Sequence, residues 1–309
     1  MIDLHCHLDG SLSVRDVLTL SNMTGETLPT TEERVLFSLL TFDKVGTLNE
    51  YLTKFDLPIR LLRSGECMEY AVRSVAERLA SCGCTYAELR FAPALHMMGG
   101  ATMREIVQGA IKGRKGAAIP INLILCAIRG REEKENVSVI EIAAEEKGKG
   151  VVGVDLAGAE ALYPTENYKS VFDLAYRSGL NITIHAGEAS GADSVRAALD
   201  FGARRIGHGV AAIRDDRLID RIIRDDIALE VCPTSNVQTG AVPSLTANPL
   251  PKFLEKGVSC VICSDNMTVS NTDVRQEYEK VKQAFPSQRA AIDRAVEIAG
   301  EYAFGSVNE

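Results

Sequence analysis

The sequence has no apolar run long enough to cross a bilayer, no internal repeat, no low-complexity linker and no excess of positive charge. The first absence excludes a membrane-spanning helix. The chain carries 34 Lys and Arg residues against 42 Asp and Glu residues, and the resulting charge of −8 argues against nucleic acids or anionic membranes as partners. Without a linker or a repeat, one domain over residues 1–309 is the expected organisation.

The first apolar stretch is interrupted by acidic and histidine residues and follows no basic leader, so we expect a cytoplasmic protein with reduced thiols. Two of its cysteine pairs, Cys82 with Cys84 and Cys260 with Cys263, have spacings that could suit a metal or redox site. Neither pair has a second pair or a nearby histidine to complete a four-ligand set. Burial as small apolar side chains is therefore the favoured interpretation.

Short apolar runs alternate with longer segments of helical period along the whole chain. The eight apolar runs are "MIDLHCH", "TYAELRFAP", "INLILCAIR", "VVGVDLAG", "NITIHAGE", "RRIGHG", "IALEVCPTS" and "VSCVICSD". Eight strands that alternate with helices predict an α/β protein whose parallel sheet closes into a (β/α)8 TIM barrel. The segment from Ser13 to about Arg63 follows the first strand and predicts a helical insertion that forms a lid over the barrel mouth.

The chain has only five histidines, and four of them fall where predicted strands end. His5 and His7 end the first strand, and residues two apart in a strand point to the same face. His185 and His208 end the fifth and sixth strands, while Asp265 follows the eighth. In a TIM barrel the chemistry lies at the C-terminal ends of the strands, so we expect these side chains to converge.

Three histidine nitrogens and one carboxylate form a ligand set that suits zinc and leaves a position for water. The predicted ligands are His5, His7, His185 and Asp265. Glu188 and His208 would then lie beside the metal without holding it. A bound metal lowers the pKa of its water to about 7. His208 and Asp265 suit taking or orienting the water proton and Glu188 suits protonating the substrate, so the prediction is a metal-assisted hydrolysis.

Each motif alone has a plainer explanation. Two solvated histidines at a surface strand end would account for "HCH", a packing histidine for "GHG", a helix-capping glutamate for "HAGE" and an Asx turn for "SDN". The hydrolase hypothesis is favoured because these explanations would have to hold together at five strand ends. The fifth histidine, His96, fits none of the strand-end motifs and is expected in a loop or a pocket lining.

The motifs "HCHLDGSLS", "YLTKFD", "YAELRFAP", "VDLAG", "HAGE", "RIGHG", "CPTSN" and "SDN", in this order, closely resemble those of the adenosine deaminase family of metal-dependent hydrolases. The resemblance runs from Leu4 to about Thr272. It implies one zinc ion on the ligands given above and a purine nucleoside as substrate, in purine salvage. It further implies that hydroxide adds to purine C6 and that ammonia leaves, converting adenosine or 2′-deoxyadenosine to the inosine product.

The same resemblance implies residue roles. Glu188 would protonate purine N1, and His208 would orient or stabilise the attacking hydroxide. Asp9 would meet the ribose hydroxyls, and the backbone N–H of Gly158 would meet purine N3. His7 would lie against the substrate as well as the metal. The apolar lid would be formed by Leu48, Tyr51, Leu52 and Phe55.

One position departs from the family pattern, in which two consecutive aspartates follow the eighth strand. Here Asp265 is followed by Asn266, whose amide can donate to purine N7. The exact aminopurine therefore stays open, and adenine, a 5′-substituted adenosine or an N6-substituted adenine nucleotide are alternatives. A catalytically silent binding protein is a further alternative, which the intact ligand set disfavours. The sequence predicts neither an oligomeric state nor whether the lid is open at rest.

Overall fold

Eight parallel strands form the centre of the protein, whose computed structural model describes residues 1–307. The strands are β1 (Ile2–His7), β2 (Tyr86–Phe91), β3 (Ile121–Ile128), β4 (Val151–Ala157), β5 (Asn181–Ala186), β6 (Arg205–His208), β7 (Ala228–Val231) and β8 (Cys260–Ile262). Each strand pairs with the next along the chain. The ends of the sheet meet where His7 N–H donates to the Asp265 carbonyl at 2.7 Å and Asp265 N–H donates to the His5 carbonyl at 2.8 Å. The predicted TIM barrel is confirmed.

Helices surround the barrel. They are α1 (Val14–Thr24), α2 (Glu33–Leu40), α3 (Leu48–Leu52), α4 (Asp56–Leu61), α5 (Gly65–Ser81), α6 (Met103–Arg114), α7 (Glu133–Glu145), α8 (Lys169–Arg177), α9 (Ala192–Asp200), α10 (Asp216–Arg224), α11 (Pro233–Gln238), α12 (Leu250–Lys256), α13 (Val274–Ala284) and α14 (Arg289–Ile298). On α5, the side chains of Val72, Val75, Ala76 and Leu79 are fully buried. Their spacing puts them on one helix face, which packs in the core between helices and sheet.

The predicted insertion, from Ser13 to about Arg63, is helical and contains α1 to α4, and α5 follows it before β2. Ser13 begins the insertion with a capping box, in which its hydroxyl accepts from Asp16 N–H and the Asp16 carboxylate accepts from Ser13 N–H. Within this insertion, residues 48–61 do not form one continuous helix. The helix α3 ends at Leu52, a 3-10 turn follows, and α4 starts at Asp56. Pro58 lacks an N–H and so fits only a first turn, which explains the restart. Closure of this insertion as a lid stays a prediction.

All eight cysteines are free, and seven are buried, with Cys82 partly buried. The pairs at 82/84 and 260/263 belong to no candidate metal cluster within residues 1–307. Their interpretation as small apolar side chains therefore agrees with the structure. No helix in the same range has the length and apolar character needed to cross a membrane.

Candidate metal and active site

A cavity of about 280 Å³ opens at the C-terminal ends of the strands. Its wall includes every residue predicted for the site except His5: His7, Asp9, Leu48, Tyr51, Leu52, Phe55, Gly158, His185, Glu188, His208, Asp265 and Asn266. His5 is fully buried directly beneath this wall, with its ring centroid 4.5 Å from that of His185. Strand-end side chains far apart in sequence thus converge on one chamber of the size that suits a small ligand.

Four of these side chains are close enough to share one metal ion. The ligand atoms of His5, His7, His185 and Asp265 all lie within 4.8 Å of one another. The Asp265 carboxylate lies 3.4 Å from His5 Nε2 and 3.5 Å from His7 Nε2, and His7 Nε2 lies 3.1 Å from His185 Nε2. Imidazole nitrogens and carboxylate oxygens are among the donors that bind zinc in proteins.

The partners of the outer ring nitrogens show which nitrogens are free to bind a metal. His5 Nδ1 lies 2.6 Å from the Glu230 carboxylate, and His185 Nδ1 lies 2.9 Å from that of Asp155. A carboxylate accepts, so both Nδ1 atoms carry the proton and both Nε2 atoms present a lone pair. His5 Nε2 is also a buried nitrogen without a hydrogen-bond partner within the described chain. The donor set therefore fits a cation.

The charge states of three of the four ligands, His7, His185 and Asp265, agree with that fit. Burial lowers the pKa of His7 well below its usual value, and burial also lowers the pKa of His185, so both rings are neutral. Burial opposes ionisation of Asp265, but the nearby imidazoles, that of His5 above all, outweigh it and hold the pKa well below the usual range. Neutral imidazole and ionised carboxylate are the forms that bind metal.

A second cluster joins His5 and Asp265 with His208 and Cys232. Burial raises the pKa of the Cys232 thiol well above its usual value. The thiolate is the form of cysteine that binds metals, so this thiol is a poor ligand. The set with three strand-end histidines is the better candidate.

Glu188 and His208 face each other beside the ligands, with Glu188 Oε2 3.5 Å from His208 Nε2. Burial raises the pKa of Glu188 to about 8, and the charge of Asp265 adds to the effect. The Thr239 hydroxyl donates to Glu188 Oε1 at 2.9 Å, which holds the carboxyl group in place. A carboxyl group that stays protonated at neutral pH can act as a general acid.

The tautomer of His208 follows from its neighbour Asn236. The Asn236 side-chain N–H donates to His208 Nδ1 at 3.0 Å, and Asn248 donates to the Asn236 oxygen at 3.5 Å, which fits this amide orientation. Burial lowers the pKa of His208 well below its usual value, so the ring is neutral and its proton lies on Nε2. Nε2 is the ring nitrogen that faces Glu188.

The polar part of the cavity wall comes from three loops. Burial raises the pKa of Asp9 to about 7. Gly158 follows β4 with φ +106°, a conformation that favours glycine. Asn266 is buried, its Oδ1 has no hydrogen-bond partner among residues 1–307, and it packs so tightly on Gly10 that a Cβ there would lie 1.8 Å from Oδ1.

The apolar part of the wall comes from α3 and the turn after it. Tyr51 and Phe55 are buried and pack with Phe42 and Val269. The Tyr51 hydroxyl is 2.6 Å from Ser270 Oγ, which ties α3 to the loop after β8. The Phe55 ring meets the His7 ring edge to face, with centroids 6.3 Å apart.

Two polar residues of the site have left-handed backbone conformations. His208 has φ +62° and Asp265 has φ +61°. Such angles are uncommon for residues with a side chain and cluster at functional sites. His208 is the last residue of β6, and Asp265 lies three residues after the end of β8.

Sequence reasoning missed the buried charges behind the ligands. Arg90 donates to the carboxylates of Asp155 at 2.8 Å and Glu230 at 3.0 Å, and Arg205 donates to Glu230 at 2.6 Å. The available signal was the presence of charged residues inside apolar strands such as "YAELRF" and "IALEV". His96 lies in a loop as expected, fully buried behind the wall, with Nε2 3.8 Å from Asp9 Oδ2.

Comparison with known sequences gives the same family along the whole chain. The sequence profile of a family described as Adenosine deaminase matches residues 1–309. An adenosine deaminase of Haemophilus ducreyi is 40% identical over 295 residues, covering 92% of this chain and 86% of the relative. One from Enterococcus faecalis is 34% identical over 284 residues, covering 91% of this chain and 84% of the relative.

Solved structures share the fold. The adenine deaminase of Arthrobacter aurescens superposes with a TM-score of 0.88 at 24% identity, covering 99% of this chain and 94% of the other. The N6-methyl-AMP deaminase of Arabidopsis thaliana superposes with a TM-score of 0.85 at 24% identity, covering 99% and 92%. At such identities the likeness establishes the architecture.

Proposed function

The chain belongs to the adenosine deaminase family and deaminates adenosine, and from this premise we propose a zinc-dependent hydrolysis that also accepts 2′-deoxyadenosine and serves purine salvage. The observation that carries the mechanism is the juxtaposition of one four-ligand cluster with a protonated carboxyl group, Glu188. The products are the inosine nucleoside and ammonia.

The residues that would hold the zinc ion are His5, His7, His185 and Asp265. When bound there, zinc supplies the Lewis acidity that makes water a nucleophile at neutral pH. Zinc is proposed from this donor chemistry.

Glu188 is the proposed general acid. Addition of a nucleophile at purine C6 breaks the aromatic ring bonding, so N1 must gain a proton as the new bond forms. The Glu188 carboxyl group is protonated at neutral pH because it is buried, and Thr239 fixes its orientation. A neutral carboxylic acid in a dry pocket already carries the proton that it donates, so it does not need to take one from solvent first.

His208 is the proposed donor that stabilises the attacking oxygen. Its Nδ1 is already occupied by the Asn236 amide, so its only proton is on Nε2. A neutral imidazole of this tautomer donates a hydrogen bond, and a donor fixed before reaction stabilises developing negative charge. Asp265, ionised beside it, is suited to take or orient the proton of the water.

The charges of the cavity favour a neutral nucleoside over a nucleotide. Among the cavity-lining residues of the described chain, Arg129 is the one permanent cation. Its terminal nitrogens donate to the carbonyls of Tyr163 and His185 and to the Thr165 hydroxyl, at 2.7–2.9 Å. With Asp9 on the same wall, a 5′-phosphate would meet an acidic side chain without a free cation to bind it.

The alternative substrates remain adenine, 5′-substituted adenosines and N6-substituted nucleotides, since the structural neighbours named above deaminate adenine and N6-methyl-AMP. One series of measurements separates them: kcat/KM for adenosine, 2′-deoxyadenosine, adenine, 5′-methylthioadenosine and AMP with the zinc-loaded protein. We expect the two nucleosides to be the best substrates and AMP to be the poorest. A higher kcat/KM for AMP than for adenosine would contradict the proposed specificity.

Glu188→Gln tests the acid. The amide keeps the shape of the side chain but has no acidic proton, so kcat should fall by roughly 10²- to 10⁴-fold, with the bound zinc unchanged. Metal content and kcat are measured on the same sample. A variant that holds one zinc ion and turns over adenosine at the normal rate would rule out Glu188 as the acid.

A further inference from the structure

Glu160 is a buried carboxylate near the active site that the mechanism above does not use. It follows β4 two residues after Gly158 and has 2% of its surface exposed. Ionised carboxylates are rarely buried without partners, because removing the charge from water is strongly unfavourable. The question is therefore what holds it there.

Its partners are the backbone of the next strand's loop. Gly187 N–H donates to Glu160 Oε1 at 2.6 Å, and the N–H groups of Glu188 and Ala189 donate to Oε2 at 3.0 and 2.6 Å. The Ser194 hydroxyl, on α9, donates to Oε1 at 2.5 Å. One side chain thus engages three consecutive backbone amides, and the middle one belongs to the proposed acid.

A second chain of hydrogen bonds ties the same loop at its start. Arg129 donates to the carbonyl of His185 at 2.7 Å and to the Thr165 hydroxyl at 2.9 Å. The Thr165 hydroxyl is 2.6 Å from that of Ser194, which in turn donates to Glu160. The loop is held at residue 185 by a cation and at residues 187–189 by an anion.

The loop needs such support because its backbone is unusual. Gly187 has φ +73°, and a Cβ there would lie 2.7 Å from a methyl group of Val195. The turn points Glu188 into the cavity while its own N–H points the other way, to Glu160. Backbone N–H groups that converge in a turn form a site for an anion, and here a side chain of the protein fills it.

We propose that Glu160 is the positioning residue that fixes the backbone of residues 187–189 and thereby places the Glu188 carboxyl group against the purine. This inference rests on the proposed role of Glu188 as the acid. Glu160 also links the two loops on which the purine would lie, because Gly158 and Ala159 immediately before it line the cavity. A small shift of such a loop costs a large factor in rate, since proton transfer requires hydrogen-bond distance.

Glu160→Gln tests the proposal with little change in volume. A Gln amide nitrogen on either side would face a backbone N–H, donor against donor, so the three amides cannot all be satisfied. We expect the variant to bind zinc normally and to keep KM for adenosine within about threefold, while kcat falls by roughly 10- to 100-fold. A folded, zinc-loaded variant with the kcat of the original protein would overturn the proposal.

Two further variants keep the test decisive. Glu160→Asp retains the charge, but its side chain is too short to reach all three amides, so kcat should fall by a similar factor. This variant replaces Glu160→Gln in the test if the Gln variant does not fold. Asp16→Asn is the matched control: Asp16 is a buried carboxylate that accepts from Ser13, Tyr70 and Ser74, outside the cavity. It should lower the melting temperature and leave kcat unchanged. An equal fall in kcat in the control would show a general effect of lost stability and contradict the positioning role.

Glu188→Gln, measured alongside, distinguishes failure of the positioning role of Glu160 from failure of the acid role of Glu188. If it is inactive while Glu160→Gln has normal kcat, the positioning role alone is wrong. If Glu188→Gln itself turns over normally, the proposed acid is wrong and the role of Glu160 falls with it.

Discussion

His5 Nδ1 lies 2.6 Å from a carboxylate oxygen of Glu230, and neither side chain is exposed to solvent. Glu230 also accepts from Arg90 and Arg205 and from the Thr183 hydroxyl, so four donors surround it. Burial alone would raise the pKa of Glu230, but the two guanidinium groups hold it well below the usual range. The contact between the candidate ligand and an anion is therefore permanent at neutral pH.

Replacing Glu230 with Gln should weaken metal binding. On either side the amide nitrogen would meet a guanidinium, donor against donor, and the negative charge that His5 Nδ1 faces would be lost. Outer-shell partners of this kind contribute about 10- to 100-fold in metal affinity. Competition with a chromogenic chelator measures the loss, and Glu277→Gln, which removes a buried carboxylate that the ligands do not contact, is the control. Equal zinc affinity in the Glu230 and Glu277 variants would contradict the prediction.

The pH dependence of turnover should report Glu188. Its pKa is raised to about 8 by burial first and by the charge of Asp265 second. The protonated form is the active one, so the acid is available below this pKa and is lost as pH rises through it. We expect kcat/KM for adenosine, which reports the pKa values of the free enzyme, to fall on the alkaline side near pH 8. The residual rate of Glu188→Gln should lack that decline, because an amide does not titrate in this range. An alkaline decline of the same midpoint in both proteins would assign the titration to another group.

Asn266 should determine how the purine is held at N7. Adenosine N7 only accepts, and an Asn amide donates at every pH. Asn266→Leu keeps the shape and leaves N7 without a donor, and one unpaired acceptor costs roughly tenfold or more in kcat/KM. Asn266→Asp would donate only when protonated, so its kcat/KM should fall from a lower pH than that of the original protein. Measuring kcat/KM against pH for both variants checks these expectations. Equal kcat/KM in the two variants and the original protein would show that Asn266 does not contact purine N7.

The barrel and the convergence of the four ligand residues could be predicted, because short sequence patterns indicate both. His5 and His7 are two residues apart on one strand, and the fold brings the C-terminal ends of parallel strands to one side. The buried charged residues behind the ligands could not be predicted in this way, because their contacts join distant parts of the chain. Arg90 is 65 residues from Asp155 and 140 residues from Glu230. Glu160 likewise meets the Glu188 backbone through a contact between neighbouring loops that no residue spacing encodes. Only the packing of the closed barrel specifies these pairs.

At His208 the requirements of stability and of activity conflict, because its left-handed backbone conformation lowers stability while its imidazole serves the proposed reaction. A residue with a side chain in this conformation costs about 1–2 kcal/mol, and asparagine tolerates it better than histidine. Asparagine there would relieve the strain and remove the imidazole that faces Glu188. Directed evolution that screens this protein for heat resistance alone would therefore tend to accept changes at this strand end, and a parallel screen for turnover would be needed to keep them out.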